Sequence, residues 1–295
     1  MKAAAFTEFG GPEVLRVLDL PEPHAGPGQV RVRVRAAGVQ PYDAAVRAGW
    51  EPPGLALSWP RVPGNEFAGV VDEGDVEAGT EVLGFTAVQA AAEYIVVPAT
   101  DVTPKPPEMP WEVAGGFSAG MQTASIALEL LRVREGETLL VHAAAGSVGT
   151  AAVQLAILKG AKVIGTASEA NQDYLRELGA TPVVYGEGLR ESVASLGVDV
   201  VLDGAGGEAL DLSLELVTDR TRILTLVDHG RAADLGVLVS KSGRSAARLA
   251  ELAALYAKGD LRFHVRRAYS YTEAAAAHRE IETGHGRGKI VLTFP

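Results

Sequence analysis

The 295-residue chain contains no cysteine, which excludes disulfides, thiolate nucleophiles and cysteine-ligated zinc together. It is also short of basic charge. Its 27 Lys and Arg stand against 37 Asp and Glu, a formal charge of -10, so the summed field repels a phosphate backbone unless cations cluster. They do not: the densest basic stretches, Arg31-Val32-Arg33-Val34-Arg35 and residues 262–267, alternate with apolar residues and read as strands with one wet face. No nucleic-acid partner is expected. No apolar run approaches the ~18 residues of a membrane span, and Met1-Lys2-Ala3-Ala4-Ala5-Phe6 does not lead into the apolar segment of a signal peptide. A cytoplasmic protein without a membrane partner is the expectation. His24, His142, His229, His264, His278 and His285 lack the close spacing of metal ligands and are expected to be structural or on the surface. None of Ser118, Ser125 and Ser147 sits in a Gly-x-Ser-x-Gly nucleophile elbow.

What the chain does have is 47% hydrophobic residues, enough for a substantial core, at a length typical of two domains. Residues 1–111 are rich in Pro and Gly. Strand character over 30–36, 67–71, 81–85 and 93–97, divided by turn signals such as Gly10-Gly11-Pro12, predicts a small, mostly β domain. Pro104, Pro106, Pro107 and Pro110 stiffen the connection that follows. Residues 112–250 change texture, with helices predicted over 112–131, 148–159, 171–178 and 209–216. Strands are predicted between them over 138–142, 162–166, 182–185, 199–203 and 222–227. Such alternation predicts a doubly wound parallel sheet, hence an α/β fold. A helix over 245–258 leads into the tail 251–295, which adds a strand at 261–267, a helix at 272–282 and a strand at 289–294. Periodicity leaves open which domain the tail completes.

The strand at 138–142 feeds the turn Ala143-Ala144-Ala145-Gly146-Ser147-Val148-Gly149, and a helix follows at once. A dinucleotide site wants this order, because the amides and dipole of the helix N-terminus face the pyrophosphate. Gly146 lets backbone approach phosphate, and Gly149 lets the helix close on the strand. An ordinary turn needing two glycines is the competing reading; the βαβ series beyond it favours the cofactor. At the end of the second strand, Gly165-Thr166-Ala167-Ser168, an acid would bond a ribose 2'-hydroxyl and repel a 2'-phosphate. None appears before Glu169, and Ser168 and Asn171 offer hydrogen-bond donors, so NADP(H) is preferred.

Six segments in order carry a resemblance. They are Ala36-Ala37-Gly38-Val39-Gln40-Pro41-Tyr42-Asp43, Pro63-Gly64-Asn65-Glu66-Phe67-Ala68-Gly69-Val70-Val71, Ala92-Glu93-Tyr94-Ile95-Val96-Val97-Pro98, the turn 143–149, Val201-Leu202-Asp203-Gly204-Ala205-Gly206-Gly207, and His285-Gly286-Arg287-Gly288-Lys289-Ile290-Val291-Leu292. Over nearly its whole length the chain resembles zinc-free medium-chain dehydrogenases/reductases of the quinone oxidoreductase (zeta-crystallin-like) group. The resemblance implies a GroES-like domain at 1–111, rejoined by 251–295, beside a Rossmann NADP(H)-binding domain at 112–250, with substrate and nicotinamide in the cleft between them. It also implies a homodimer. By similarity Thr123 lies near the nicotinamide, Tyr185 flanks the adenosine, and Gly204 and Val227 line the nicotinamide side. Zinc-dependent relatives carry Gly-His-Glu where this chain has Gly64-Asn65-Glu66, so a metal ligand is missing and zinc-assisted alcohol oxidation is disfavoured. Gln40 stands where relatives usually have Asn, and the segment 71–93 is shorter than usual.

Without a metal, the natural reaction is hydride delivery from NADPH to a quinone or an α,β-unsaturated carbonyl, which asks the protein for orientation and for donors to the developing oxyanion. Gln40 and Tyr42 are the candidate catalytic donors, since the resemblance puts their loop at the cleft. For Tyr42, a turn residue packing its ring is an equal alternative, with water as the acid. Asp43 reads as a turn or helix cap, Lys289 as a strand-edge lysine, and Ser147 as a helix-start hydroxyl. Competing functions are an enoyl or alkenal reductase of a biosynthetic pathway and a non-catalytic NADPH-binding sensor.

Overall fold

A computed structural model describes residues 1–55, 57–240 and 243–295. The N-terminal part runs β1 (Lys2–Ala5), β2 (Arg16–Asp19), β3 (Gln29–Val39), α1 (Pro41–Arg47), β4 (Glu66–Gly74), β5 (Glu81–Phe85), β6 (Tyr94–Pro98) and β7 (Val102–Pro104). After α2 (Trp111–Leu130) the chain alternates through β8 (Thr138–Val141), α3 (Ser147–Leu158), β9 (Lys162–Ala167), α4 (Gln172–Glu177), β10 (Thr181–Val184), α5 (Leu189–Ala194), β11 (Val200–Asp203), α6 (Glu208–Leu216), β12 (Ile223–Thr225), α7 (His229–Leu235) and β13 (Leu238–Val239). Then come α8 (Ala246–Ala257), β14 (Val265–Ser270), α9 (Ala274–Glu282) and β15 (Lys289–Thr293).

Met1–Ala119 and Ser245–Pro295 pack as one unit. Its larger sheet has the order β14-β15-β3-β4-β5-β7, with β6 also paired to β3. β3 is the axis because its sequence changes character halfway. Val30, Val32 and Val34 are buried and the arginines between them turn outward, whereas from Ala36 to Val39 every residue is buried. A run buried on both faces has no reason to alternate. β15 lies parallel to β14 and antiparallel to β3, so the tail whose destination periodicity left open is built into this sheet. Lys289, expected at a strand edge, instead begins an interior strand and is 3% exposed.

Gly120–Arg244 form the second unit. Its six strands are all parallel, in the order β10-β9-β8-β11-β12-β13. Leu140, Ile164, Val201 and Ile223 pack against Val193 and Leu210 from the helices. Strands β9 and β10 lie to one side of β8, and β11 to β13 to the other. In such sheets ligands bind beyond the carboxyl ends of the strands at that reversal. The doubly wound α/β fold expected from the alternation is the one found.

The differences lie in short elements. Pro41–Arg47 is a helix rather than a turn, with Pro at its first position and Asp43 bonded back to the Gln40 N–H; seven residues are too few to display a helical period. The strand expected at 261–267 starts at Val265, and the one at 222–227 is confined to Ile223–Thr225. β1 and β2 pair mainly with each other, and the alanines of β1 carry little strand propensity.

On α9, His278 is 1% exposed, and burial, with the Arg47 cation of α1 adding to it, pushes its imidazole down to about 3. A histidine held neutral in the fold stabilises it fully above the unfolded value near 6.5, and that contribution is lost as pH falls toward 3. Denaturant unfolding at pH 7 and pH 5 is expected to show the wild type losing about 2 kcal/mol more than His278→Gln over that interval. Equal losses would remove His278 from the acid response.

Candidate functional site

Within the second unit, the turn expected to hold a phosphate is built as a strand-to-helix corner. Ala143 takes a left-handed backbone, φ 56°, and its carbonyl accepts the Gly146 N–H at 3.0 Å. The Ala144 N–H bonds Thr166 O of β9 at 2.9 Å, and α3 begins at Ser147 with Gly146 as its N-cap. The two glycines do different work. A Cβ on Gly149 would overlap the Ala143 carbonyl oxygen and lie 2.6 Å from Ala144 Cα, whereas one on Gly146 would meet only Ala143 O, at 3.3 Å. Gly149 thus sets how closely the helix approaches the strand. Gly146 leaves space open above it.

Ser147 departs from expectation. Its hydroxyl does not cap α3; it is buried without a hydrogen-bond partner and faces Gly120. A buried donor left unpaired costs free energy, and here it stands on the first turn of a helix whose leading amides have no intrahelical acceptor. Such a corner fits an anionic group.

Of the other cofactor candidates, five follow the carboxyl ends of these strands. Ser168 and Asn171 follow β9, and the Asn171 amide donates to Ser168 Oγ at 3.0 Å. Tyr185 follows β10, its N–H on Ala167 O at 3.3 Å and its ring half exposed. Gly204 follows β11, Val227 follows β12, and Thr123 lies on α2.

What the sequence reading missed is the row beneath them. Thr166, His142, Asp203 and Thr225 end four neighbouring strands, and none is more than 2% exposed. The Asp203 carboxylate accepts from the Ala205 N–H at 2.9 Å, the Gly206 N–H at 2.8 Å and the Thr225 hydroxyl at 2.7 Å. Thr225 Oγ1 in turn accepts the Asp228 N–H at 3.1 Å. One carboxylate therefore anchors both the turn with Gly204 and the turn with Val227. His142 Nδ1 lies 3.2 Å from Thr166 Oγ1 while Nε2 has no partner, and burial pushes the ring down to about 4 against the pull of Asp203. The signal was an acid closing an apolar strand just before glycines.

In the first unit, Gln40 caps α1 and its side-chain amide donates to Asn65 Oδ1. Tyr42 is half-buried, its ring edge-on to Trp50 at 5.4 Å between centroids. Asp43, 1% exposed, caps the helix as expected: one oxygen accepts the Gln40 N–H at 2.9 Å and the other the Gly64 N–H at 3.0 Å. Burial pushes its carboxyl up to about 7, against the Lys289 cation and those two N–H groups. Lys289 Nζ lies 2.5 Å from Glu66 Oε1, and Glu66 Oε2 accepts the Ala119 N–H at 2.5 Å. Gly38 makes the room, since a Cβ there would overlap the Glu66 carboxylate. Among the described residues, no group of three or more His, Cys, Asp or Glu side chains is arranged to hold a metal ion, and no helix is long and apolar enough to cross a membrane.

Comparison with known proteins places these features in context. Residues 26–107 match the alcohol dehydrogenase GroES-like domain, and residues 178–292 match the family described as zinc-binding dehydrogenase. The chain is 30% identical to the quinone oxidoreductase of Mus musculus over 328 residues, covering 99% of this chain and 97% of that protein. It is 36% identical to the spectinabilin polyketide synthase system protein NorB of Streptomyces orinoci over 294 residues, which is 91% of this chain but 13% of that far longer protein. The solved quinone oxidoreductase of Coxiella burnetii superposes with a TM-score of 0.90 at 29% identity, covering 100% of this chain and 99% of the other.

Two predictions follow from the geometry. Gly146→Val is expected to leave thermal unfolding unchanged while weakening dinucleotide binding about tenfold or more, whereas Gly149→Ala is expected to destabilise the fold by about 1–3 kcal/mol. Calorimetric titration and unfolding curves on both variants decide it, and unaltered binding by Gly146→Val would move the phosphate elsewhere. For Asp43 the folded value lies above the unfolded one near 3.8, so its contribution is fully present below that value and is lost as pH rises through about 7. The stability of the wild type relative to Asp43→Asn is expected to fall by about 4 kcal/mol between pH 4 and pH 8. A pH-independent difference would show that Asp43 titrates normally.

Proposed function

The chain belongs to the medium-chain dehydrogenase/reductase family of oxidoreductases, and from that premise we propose that it is an NADPH-dependent reductase of quinones or α,β-unsaturated carbonyls that works without a metal. The observation that carries the cofactor half is the corner at 143–149, where the leading amides of α3 have no side-chain cap and the space above Gly146 is open. The residues fit a dinucleotide. Within the Ala144 to Gly149 turn the leading amides of α3 hold the pyrophosphate, Tyr185 flanks the adenosine, and Thr123, Gly204 and Val227 border the nicotinamide. Ser168 and Asn171 take the ribose 2'-phosphate; β9 runs to Ala167 without an acid, and this absence supports NADP(H) over NAD(H).

When bound, the nicotinamide supplies the hydride. The protein's share is to hold the acceptor and stabilise the negative charge that develops on its oxygen. An amide has two N–H groups, so Gln40 can give one to Asn65 and the other to the acceptor, and the Tyr42 phenol is a second donor. Asn65 and the absence of cysteine support a mechanism that needs no zinc.

Identity to polyketide synthase proteins at 34–36% over 91–93% of the chain favours one second reading, an enoyl reductase acting on a biosynthetic thioester by the same hydride step. The chain spans only 5–13% of those proteins, so their assemblies carry over no further than this. NADPH oxidation against quinones, 2-alkenals and enoyl thioesters separates the readings, with the highest kcat/KM expected for a quinone or alkenal. A clear preference for thioesters installs the second reading, and tight NADPH binding without turnover on any acceptor makes the protein a sensor. Kd for NADPH is expected to lie below that for NADH; the reverse order would overturn the choice of cofactor.

A further inference from the structure

Three charged side chains are sealed into the first unit where α1, β4 and β15 meet: Asp43 at 1% exposure, Glu66 at 0% and Lys289 at 3%. Glu66 pairs with the ammonium at 2.5 Å, and Asp43 feels that cation only through space. Capping a seven-residue helix needs none of this, since an exposed Asp or Ser would serve, and buried charges are a poor source of net stability. What the arrangement does achieve is geometric. The two oxygens of Asp43 tie the N–H of Gln40 to the N–H of Gly64, which joins the residue bearing the candidate donor to the neighbour of Asn65, the residue that receives its amide.

We propose that Asp43 is a positioning residue that fixes the Gln40 amide toward the acceptor, and that the Lys289–Glu66 pair buried behind it holds Asp43 in that role. The proposal rests on the reductase reading. Ionised, Asp43 accepts both N–H groups. Protonated, one of its oxygens becomes a donor and is a poorer acceptor, so one of the two ties slackens and the Gln40 amide with it. Burial places this change at about 7. The groups facing Asp43 are Lys289 from β15 and Glu66 from β4. On the Arg47 side of α1, α9 contributes His278 and Glu282, the latter paired with Arg47.

The test uses the full chain with NADPH and a quinone. For the wild type, kcat/KM for the acceptor is expected to rise severalfold as pH passes through about 7. Asp43→Asn should abolish that step and raise the acceptor KM about tenfold while leaving the KM for NADPH unchanged, an effect equal to one weakened hydrogen bond. In a Gln40→Ala background, Asp43→Asn should add less than about twofold, because coupled residues are not additive. Fully additive losses, or a pH step that persists without Gln40, would overturn the proposal. An arm independent of turnover uses the wild type alone: the carboxyl 13C of Asp43 and the side-chain amide 15N of Gln40 should titrate with one midpoint. This arm stands even if Asp43→Asn does not fold or no acceptor is reduced. A silent amide, or two unrelated midpoints, means that Asp43 does not govern Gln40.

Discussion

The second unit depends on how closely α3 can start to the strand it follows. A helix end carries unpaired amides and a partial positive charge that fades within a turn, so an anion gains from it only when the corner is tight. Gly149 makes it tight by letting Ala143 and Ala144 backbone occupy the space of a side chain. The left-handed Ala143 is the strained residue that turns the chain; strain of this kind collects at functional corners. Everything arranged around the turn, from Ser147 to the glycines after β11, presupposes that approach.

The two units solve the same problem, placing polar groups in an apolar setting, in different ways. Beneath the turns of the second unit one carboxylate is satisfied by two amides and a hydroxyl, so the Asp203 row is fully bonded apart from His142 Nε2. In the first unit Glu66 pairs with the Lys289 ammonium and one backbone N–H, while Asp43 has two backbone N–H groups and no ion pair among the described residues. A row held by that many hydrogen bonds is fixed in place. A group of three charges with an odd balance is sensitive to its last proton.

Legibility in the sequence followed distance along the chain. The βα alternation, the turn at 143–149 and the cap role of Asp43 are set by residues within a few positions of one another, and each could be read from spacing. The fold class emerged because periodicity repeats locally. Lys289 could not be placed by such means: its meaning comes from Glu66, more than two hundred residues earlier, and an isolated Gly-Lys before an apolar run looks like any strand start. The same holds for Thr225 beneath Asp203 and for Ser147, whose hydroxyl cannot be told from a helix cap until Gly120 is seen beside it. Helix α1 was hidden for another reason, since Pro-Tyr at its head has the composition of a turn.

The position of β15 between β14 and β3 has a consequence for how the molecule is made. The second unit is one continuous stretch of chain dominated by neighbouring βαβ contacts, so it can fold as soon as it has been synthesised. The first unit is split around it, and its sheet has a gap until residues 289–293 arrive. Until then the 36–39 stretch of β3 has an open edge able to pair with another chain, and Glu66 awaits its cation. A nascent protein therefore passes through a stage in which the second unit is complete while the first is most exposed to aggregation.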